Sequence, residues 1–285
     1  MTGARELRSC FDEVADLYAS TRPGYPPELV HALLARAPAP AHVLEVGCGT
    51  GQLTRDLLGR GLTIHALELG PRLAARARAD LAGHPELTVE VADFETWTPP
   101  RRYDLLVSAQ AFHWIDPTVG LARAAAALRP GGALALLWTV DRSEDTPLYR
   151  ATSPVYARYP VAAGPPLALP VNVLPPSRAR SARTEGARRK RSVERSSTSA
   201  PANRYPELLA ACPDFDPLER IALPWEHTYT QDEWLAQVRT FSSTRALEPE
   251  ARREGFLAEL AAAIAAAGGV VPRRYESVLL LARRA

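Results

Sequence analysis

The run VLEVGCGTG, Val43 to Gly51, reads as a strand that ends in a glycine turn and opens a helix at Gln52. Val43, Leu44 and Val46 are the β-branched and aliphatic residues that suit a pleat covered on both faces. Gly47, Gly49 and Gly51 let the backbone turn sharply and approach a ligand without a Cβ in the way. The following helix directs its free N–H groups at the same place. Turns of this kind serve two groups of cofactors, and the glycine spacing separates them. A dinucleotide fingerprint needs its third glycine three residues after the second, where this chain has Gln52.

Outward from this run, strands and helices alternate. Apolar residues at helical spacing predict a helix over residues 6–19 (Leu7, Phe11, Val14, Ala15, Tyr18), stopped by the prolines of TRPGYPP, and another over 28–37. After the helix at 52–60 come strands over 62–69, 87–92, 103–108 and 133–138, with helices at 72–82 and 119–128 between them. The turn RPGG leads into the strand at 133. Such alternation predicts a parallel sheet with helices on both faces. Ligands bind beyond the carboxyl ends of its strands, which is where Gly47–Gly51, Glu68, Asp93 and the loop Ala109–Ile115 fall. Further on, helices are expected over 205–211, 231–239 and 249–267, and strands over 219–229 and 275–282.

The acid before the loop glycines, Glu45 in EVGCGTG, is the pattern of an S-adenosylmethionine (SAM) loop. In order, VLEVGCGTG, ALELG, VADFETW, YDLLVSAQAFHWID and LRPGGALAL resemble the motifs of class I SAM-dependent methyltransferases. The openings YASTRPGYP and SAQAFHWID are most similar to the small-molecule subgroup that includes trans-aconitate methyltransferase. The resemblance covers about residues 10–141 and resumes from about 205. It implies a Rossmann-like α/β sheet, parallel but for an antiparallel last strand and flanked by helices, with an N-terminal helical lid. The implied organisation is a lid over 1–40, a SAM-binding core over 41–141, a connection into the cap over 142–159, a flexible Pro/Arg-rich insert over 160–202, and the C-terminal part of the fold over 203–285.

Each part of SAM needs a different partner. Glu45, Gly47, Cys48, Gly49 and Gly51 are the candidates to lie around its amino acid end and ribose, and Glu68 to accept from both ribose hydroxyls. Asp93 and the backbone of Phe94 are placed for the adenine, and Gln110 stands in the loop after the fourth strand. Tyr18, Arg22 and Trp114 are lid or substrate candidates. Arg22 offers the planar fork that suits a carboxylate, set against the alternative of a solvated arginine beside a proline turn. His113 is the one candidate base, an imidazole whose ordinary pKa of ~6.5 fits proton transfer near neutrality, set against a purely structural role in the pocket wall.

Composition narrows the classes. With 285 residues and 46% apolar content the chain can bury one large core with a small appendage. Cys10, Cys48 and Cys212 form no CxxC pair, so neither a disulfide framework nor a zinc site is expected. Charges in the first 18 residues and the absence of any long apolar run predict a cytoplasmic protein with no membrane partner. Eight basic residues and two acidic ones between Arg178 and Arg195 leave a mildly acidic remainder, so a surface built for nucleic acid is not expected. The function expected is methyl transfer to a carboxylate or hydroxyl of a small molecule. The alternatives are an RNA or protein methyltransferase that uses the basic stretch, and a SAM-binding protein without activity.

Overall fold

A computed structural model describes residues 11–36, 41–144, 146–159, 201–216 and 219–285. The basic run 178–195 and nearly all of the expected insert lie outside the described residues, as do residues before 11 in the first expected helix.

The described part opens with a single 3₁₀ turn, Asp12–Val14, followed by α1 (Ala15–Thr21) and α2 (Pro27–Leu34). The alternating part follows: β1 (Ala41–Val46), α3 (Gln52–Leu57), β2 (Leu62–Glu68), α4 (Pro71–Asp80), β3 (Leu87–Val91), β4 (Tyr103–Ala109), α5 (Pro117–Ala127) and β5 (Leu128–Asp141). Then come α6 (Pro147–Arg158), α7 (Pro201–Ala210), β6 (Glu219–Thr230), α8 (Gln231–Arg239), the short α9 (Ser242–Arg245), α10 (Glu250–Ala266) and β7 (Val270–Arg283). The seven strands form one sheet in the order β3-β2-β1-β4-β5-β7-β6. Strands β1 to β5 pair in parallel, and β7 inserts antiparallel to both β5 and β6.

Successive residues of a strand face opposite sides, so the sheet has two cores. On one side Leu44, Leu106, Leu136 and Trp138 pack with α5 and with Tyr205 of α7. On the other, Val43, Ile64, Val107 and Leu137 pack under Leu29 and Leu33 of α2 and Leu53 and Leu57 of α3. A third apolar cluster, including Val155, Trp234, Val238, Phe241, Phe256, Leu260 and Val271, holds a cap over the far ends of β5, β6 and β7. Strand order reverses between β1 and β4, which opens a crevice at their carboxyl ends.

Local chemistry explains most boundaries. Asp116 caps α5 by accepting from the N–H groups of Thr118 and Val119 at 2.9 and 3.1 Å, and Pro117 occupies the first helical position, where no N–H is needed. Thr230 and Glu233 form a reciprocal capping box at the start of α8. Three features differ from expectation. Strand β5 starts at Leu128, because RPGG stays in the ladder through a bulge opposite Tyr103–Leu105. Helix α7 starts at Pro201, inside the range expected for the insert. Helix α6 lies in the stretch expected only as a connection into the cap; despite Pro154 its Leu148, Thr152, Val155 and Tyr156 are buried at helical spacing, and Thr146 caps it.

Candidate functional site

A cleft partly open to solvent lies at the carboxyl ends of β1 to β4. Its floor is Val46, Gly47 and Gly49 from the β1 turn and Leu67–Leu69 from β2. One wall is Ala92 and Phe94 after β3, another Ala109–Ala111, Trp114 and Ile115 after β4, and Leu73 of α4 also lines it. Phe11 and Tyr18 of the lid close over it, with Phe11 making edge contacts to Tyr18 and Trp114 at ring separations of 6.0 and 5.7 Å.

The glycine turn is built by close approach. A Cβ on Gly47, at φ +73°, would stand 2.3 Å from the Cβ of Ala111, so the β1 turn and the β4 loop touch with no room for a side chain. Gly51 caps α3 in the left-handed region, and a Cβ there would meet Leu81 at 2.6 Å. Gly51 therefore packs against α4's end and does not line the cleft. Gln110, at φ +57°, is the non-glycine residue with a left-handed backbone among the described residues. It lines the cleft, and its side-chain amide donates to the Thr139 carbonyl at 3.3 Å.

Glu68 is the polar centre of the floor. It is 8% exposed and accepts from the backbone N–H groups of Gly49 at 2.8 Å and Gly70 at 2.9 Å. Burial raises its pKa, against the lowering effect of those N–H bonds. Each oxygen has a second lone pair, so a vicinal diol placed here has acceptors for both hydroxyls. The lid reaches the same region: Asp12 Oδ1 accepts from the N–H groups of Arg72 and Leu73 at 2.7 and 2.9 Å and caps α4. Asp12 gave no signal in the sequence, because the helix it caps lies about sixty residues away.

Three other candidates stand behind the cleft. Glu45 is buried beneath the turn, where it accepts from the Thr54 hydroxyl at 2.7 Å, and burial pushes its carboxyl up to about 8. The Cys48 thiol is buried, and desolvation raises its pKa well above the ordinary value, which removes thiolate character. Asp93 directs a carboxylate oxygen at the N–H of Glu95, 3.0 Å away, and organises the turn after β3, while Phe94 supplies the cleft wall. These positions tie the turn to the sheet. Glu45, Cys48, Gly51 and Asp93 do not line the cleft.

His113 occupies the 3₁₀ turn after β4, its ring tilted 40° to that of Trp114 with centroids 4.8 Å apart. The fully buried Trp138 indole donates to its Nδ1 at 3.2 Å. An indole N–H is only a donor, so Nδ1 is the acceptor and the ring proton sits on Nε2. Desolvation lowers the His113 pKa to about 4. The ring is neutral near pH 7, and its basic lone pair is already engaged. That arrangement satisfies Trp138; it does not prepare a general base. Arg22 is not a cleft-lining residue either. Its guanidinium lies over the rings of Tyr18 and Phe241, 4.9 and 4.8 Å from their centroids.

The fold, with its mostly parallel sheet and antiparallel last strand, is that of the class I methyltransferases. Residues 43–132 match a family model described as a methyltransferase domain, a span that holds the glycine turn, Glu68, Asp93 and the β4 loop. Within that class, the chain is 37% identical over 137 residues to an uncharacterized methyltransferase of Mycobacterium tuberculosis, covering 47% of this chain and 54% of the relative. It is 37% identical over 128 residues to the trans-aconitate 2-methyltransferase of Streptomyces avermitilis, covering 41% and 47%. The chain thus spans about half the length of these relatives. In three dimensions it resembles a protein of Anaeromyxobacter dehalogenans assigned as a type II methyltransferase, with a TM-score of 0.57, 26% identity and coverage of 92% and 97% of the two chains. No helix among the described residues is long and apolar enough to cross a membrane.

Proposed function

We propose that this chain binds SAM in the cleft and transfers its methyl group to an oxygen of a small-molecule acceptor, a carboxylate or a hydroxyl. The observation that carries this reading is Glu68, a buried carboxylate with spare lone pairs, set between the glycine turn and α4 on the floor of a cleft with aromatic walls. The residues present fit the cofactor by their chemistry. Glu68 suits the ribose diol, and the apolar walls from Leu69, Leu73, Phe94 and Ile115 suit the adenine ring. Gly47 and Gly49 line the same cleft with bare backbone, against which the amino acid end would lie. When bound, SAM supplies a methyl carbon on a positively charged sulfur, which an oxygen lone pair displaces in line.

The protein's contribution is therefore orientation and exclusion of water. Phe11, Tyr18 and Trp114 roof the cleft with aromatic faces, which suit a sulfonium electrostatically. A carboxylate acceptor becomes a neutral ester and releases no proton. The neutral, hydrogen-bonded His113 is in keeping with such a base-free reaction. Calorimetric titration with S-adenosylhomocysteine, followed by transfer of labelled methyl from SAM to a metabolite extract, tests the reading. A labelled small product is the expected result. Failure of folded protein to bind S-adenosylhomocysteine overturns it.

A further inference from the structure

On the α5 side of the sheet, three polar side chains face a core that is otherwise apolar. His65 of β2 points to the same side as Leu67, and Glu90 of β3 stands diagonally beside it. Both are half-buried, and Tyr103 at the start of β4 is 1% exposed. Polar groups so placed cost free energy unless they are paired, and these are paired in a chain. The Glu90 carboxylate accepts at both oxygens, from the Trp97 indole at 3.0 Å and from His65 Nε2 at 2.8 Å. His65 Nε2 therefore carries the ring proton. In the neutral imidazole Nδ1 is then an acceptor, and it takes the Tyr103 hydroxyl at 2.7 Å. Burial raises the Tyr103 pKa to about 12, so its proton is there to give.

The far end of this chain is a wall of the cleft. Trp97 closes the turn after β3: its backbone N–H donates to the Asp93 carbonyl at 2.8 Å, and its carbonyl accepts from Arg123 of α5 at 2.8 Å. Phe94 sits inside that turn, 4% exposed, and lines the cleft. With its indole N–H held by Glu90, Trp97 is fixed by backbone and side chain together. Its ring meets His65 edge-on, with centroids 5.4 Å apart. Glu90 does not itself line the cleft and reaches it only through Trp97 and the turn.

We propose that Glu90 is a positioning residue for the adenine end of the cofactor: through Trp97 it sets the turn over 93–97, and with it the place of Phe94 in the cleft wall. This rests on the reading that the cleft holds SAM. His65 and Tyr103 support Glu90 in turn, because the Tyr103 hydroxyl on Nδ1 keeps the imidazole proton on Nε2, where the carboxylate needs it. A displacement of about 1 Å can cost on the order of 100-fold in function, so a residue outside the cleft governs how tightly and how selectively adenine is held.

The test uses the full chain as wild type, E90A and E90Q, with thermal melts to establish that each is folded at the titration temperature. S-adenosylhomocysteine and S-inosylhomocysteine, in which an oxo group replaces the adenine amino group, are titrated into each by calorimetry. Wild type is expected to bind S-adenosylhomocysteine the more tightly. E90A loses tenfold or more of that affinity and less for the inosine ligand, whose oxo group cannot make the bonds an amino group makes, so the ratio between the two narrows. E90Q falls between: its amide oxygen still takes the Trp97 N–H, but its NH₂ faces His65 Nε2 and demands the other tautomer. Equal weakening of both ligands, or unchanged affinities in variants that only melt earlier, overturns the proposal and leaves the network a purely structural one. So does a wild type that binds the two ligands alike. These outcomes leave the methyltransferase reading intact, whereas failure of wild type to bind S-adenosylhomocysteine fells that reading and the proposal with it.

Discussion

The parallel half of the sheet and the cap treat their buried polar groups differently. In the core, Glu45 accepts from Thr54, Ser108 donates to the Val46 carbonyl, and Glu68 accepts from two glycine N–H groups. In the lid and cap, Arg22, Gln237, Thr244 and Arg273 each leave a buried atom unpaired. A fully paired network holds one geometry without a ligand, whereas open donors and acceptors lower their free energy when a ligand arrives. The floor of the cleft is thus preorganised by backbone, whereas the lid and cap keep buried polar atoms open.

The largest effect that sharpens this contrast is expected at Gly47. Gly47→Ala brings a Cβ against Ala111 at a left-handed φ, and a displacement of the turn by about 1 Å can cost on the order of 100-fold in function. Calorimetry should find S-adenosylhomocysteine binding weakened to about that degree. The double variant G47A/A111G should recover part of it, since the clash is with the Ala111 methyl.

In the cap, Asp141→Ala leaves Arg273 buried without its counter-charge and should cost about 3–5 kcal/mol in urea denaturation. The same variant should bind S-adenosylhomocysteine nearly as well as wild type, because the pair lies in the cap cluster. If S-adenosylhomocysteine affinity falls in step with stability, the separation between preorganised core and open cap is wrong.

His113 tests the boundary between the two. His113→Ala strands the Trp138 indole and should cost about 1–3 kcal/mol, and the double variant H113A/W138F should cost less than the sum of the singles. The pH dependence has a definite sign. Because folding depresses the His113 pKa to about 4 from an ordinary 6.5, its contribution is fully present above pH 6.5 and is lost as pH falls toward 4. Urea melts across that window should show a shallower slope in H113A than in wild type.

The smallest expected effect is at the lid. Asp12→Ala removes the cap of α4 and should lower stability by about 1 kcal/mol in the same measurement.

Much of the core was legible in the sequence because it is encoded locally. The apolar run of β1, the glycines that follow and the acid ending β2 lie within short windows, and period and punctuation place them at one end of the sheet. What was not legible depends on contacts distant in the chain. The sequence pattern puts Glu45 and Asp93 beside ligand-binding positions, but only packing shows Glu45 turned to Thr54 and Asp93 turned to its own loop. For His113 the sequence left a base and a structural role in the pocket wall both open, because Trp138, 25 residues later, gives no sign in the sequence of where its N–H will point. The extension of β5 through RPGG was hidden for a similar reason, since Gly131 donates to the Arg284 carbonyl and Gly132 accepts from the Arg284 N–H at the far end of the chain.

The cap that Asp12 places on α4 joins the roof of the cleft to its frame. Lifting the roof would bare the N–H groups of Arg72 and Leu73 beside Gly70, whose own N–H is held by Glu68. Any opening of the roof would therefore carry the cost of uncapping α4, about 1 kcal/mol, so the frame of the cleft itself favours the shut entrance.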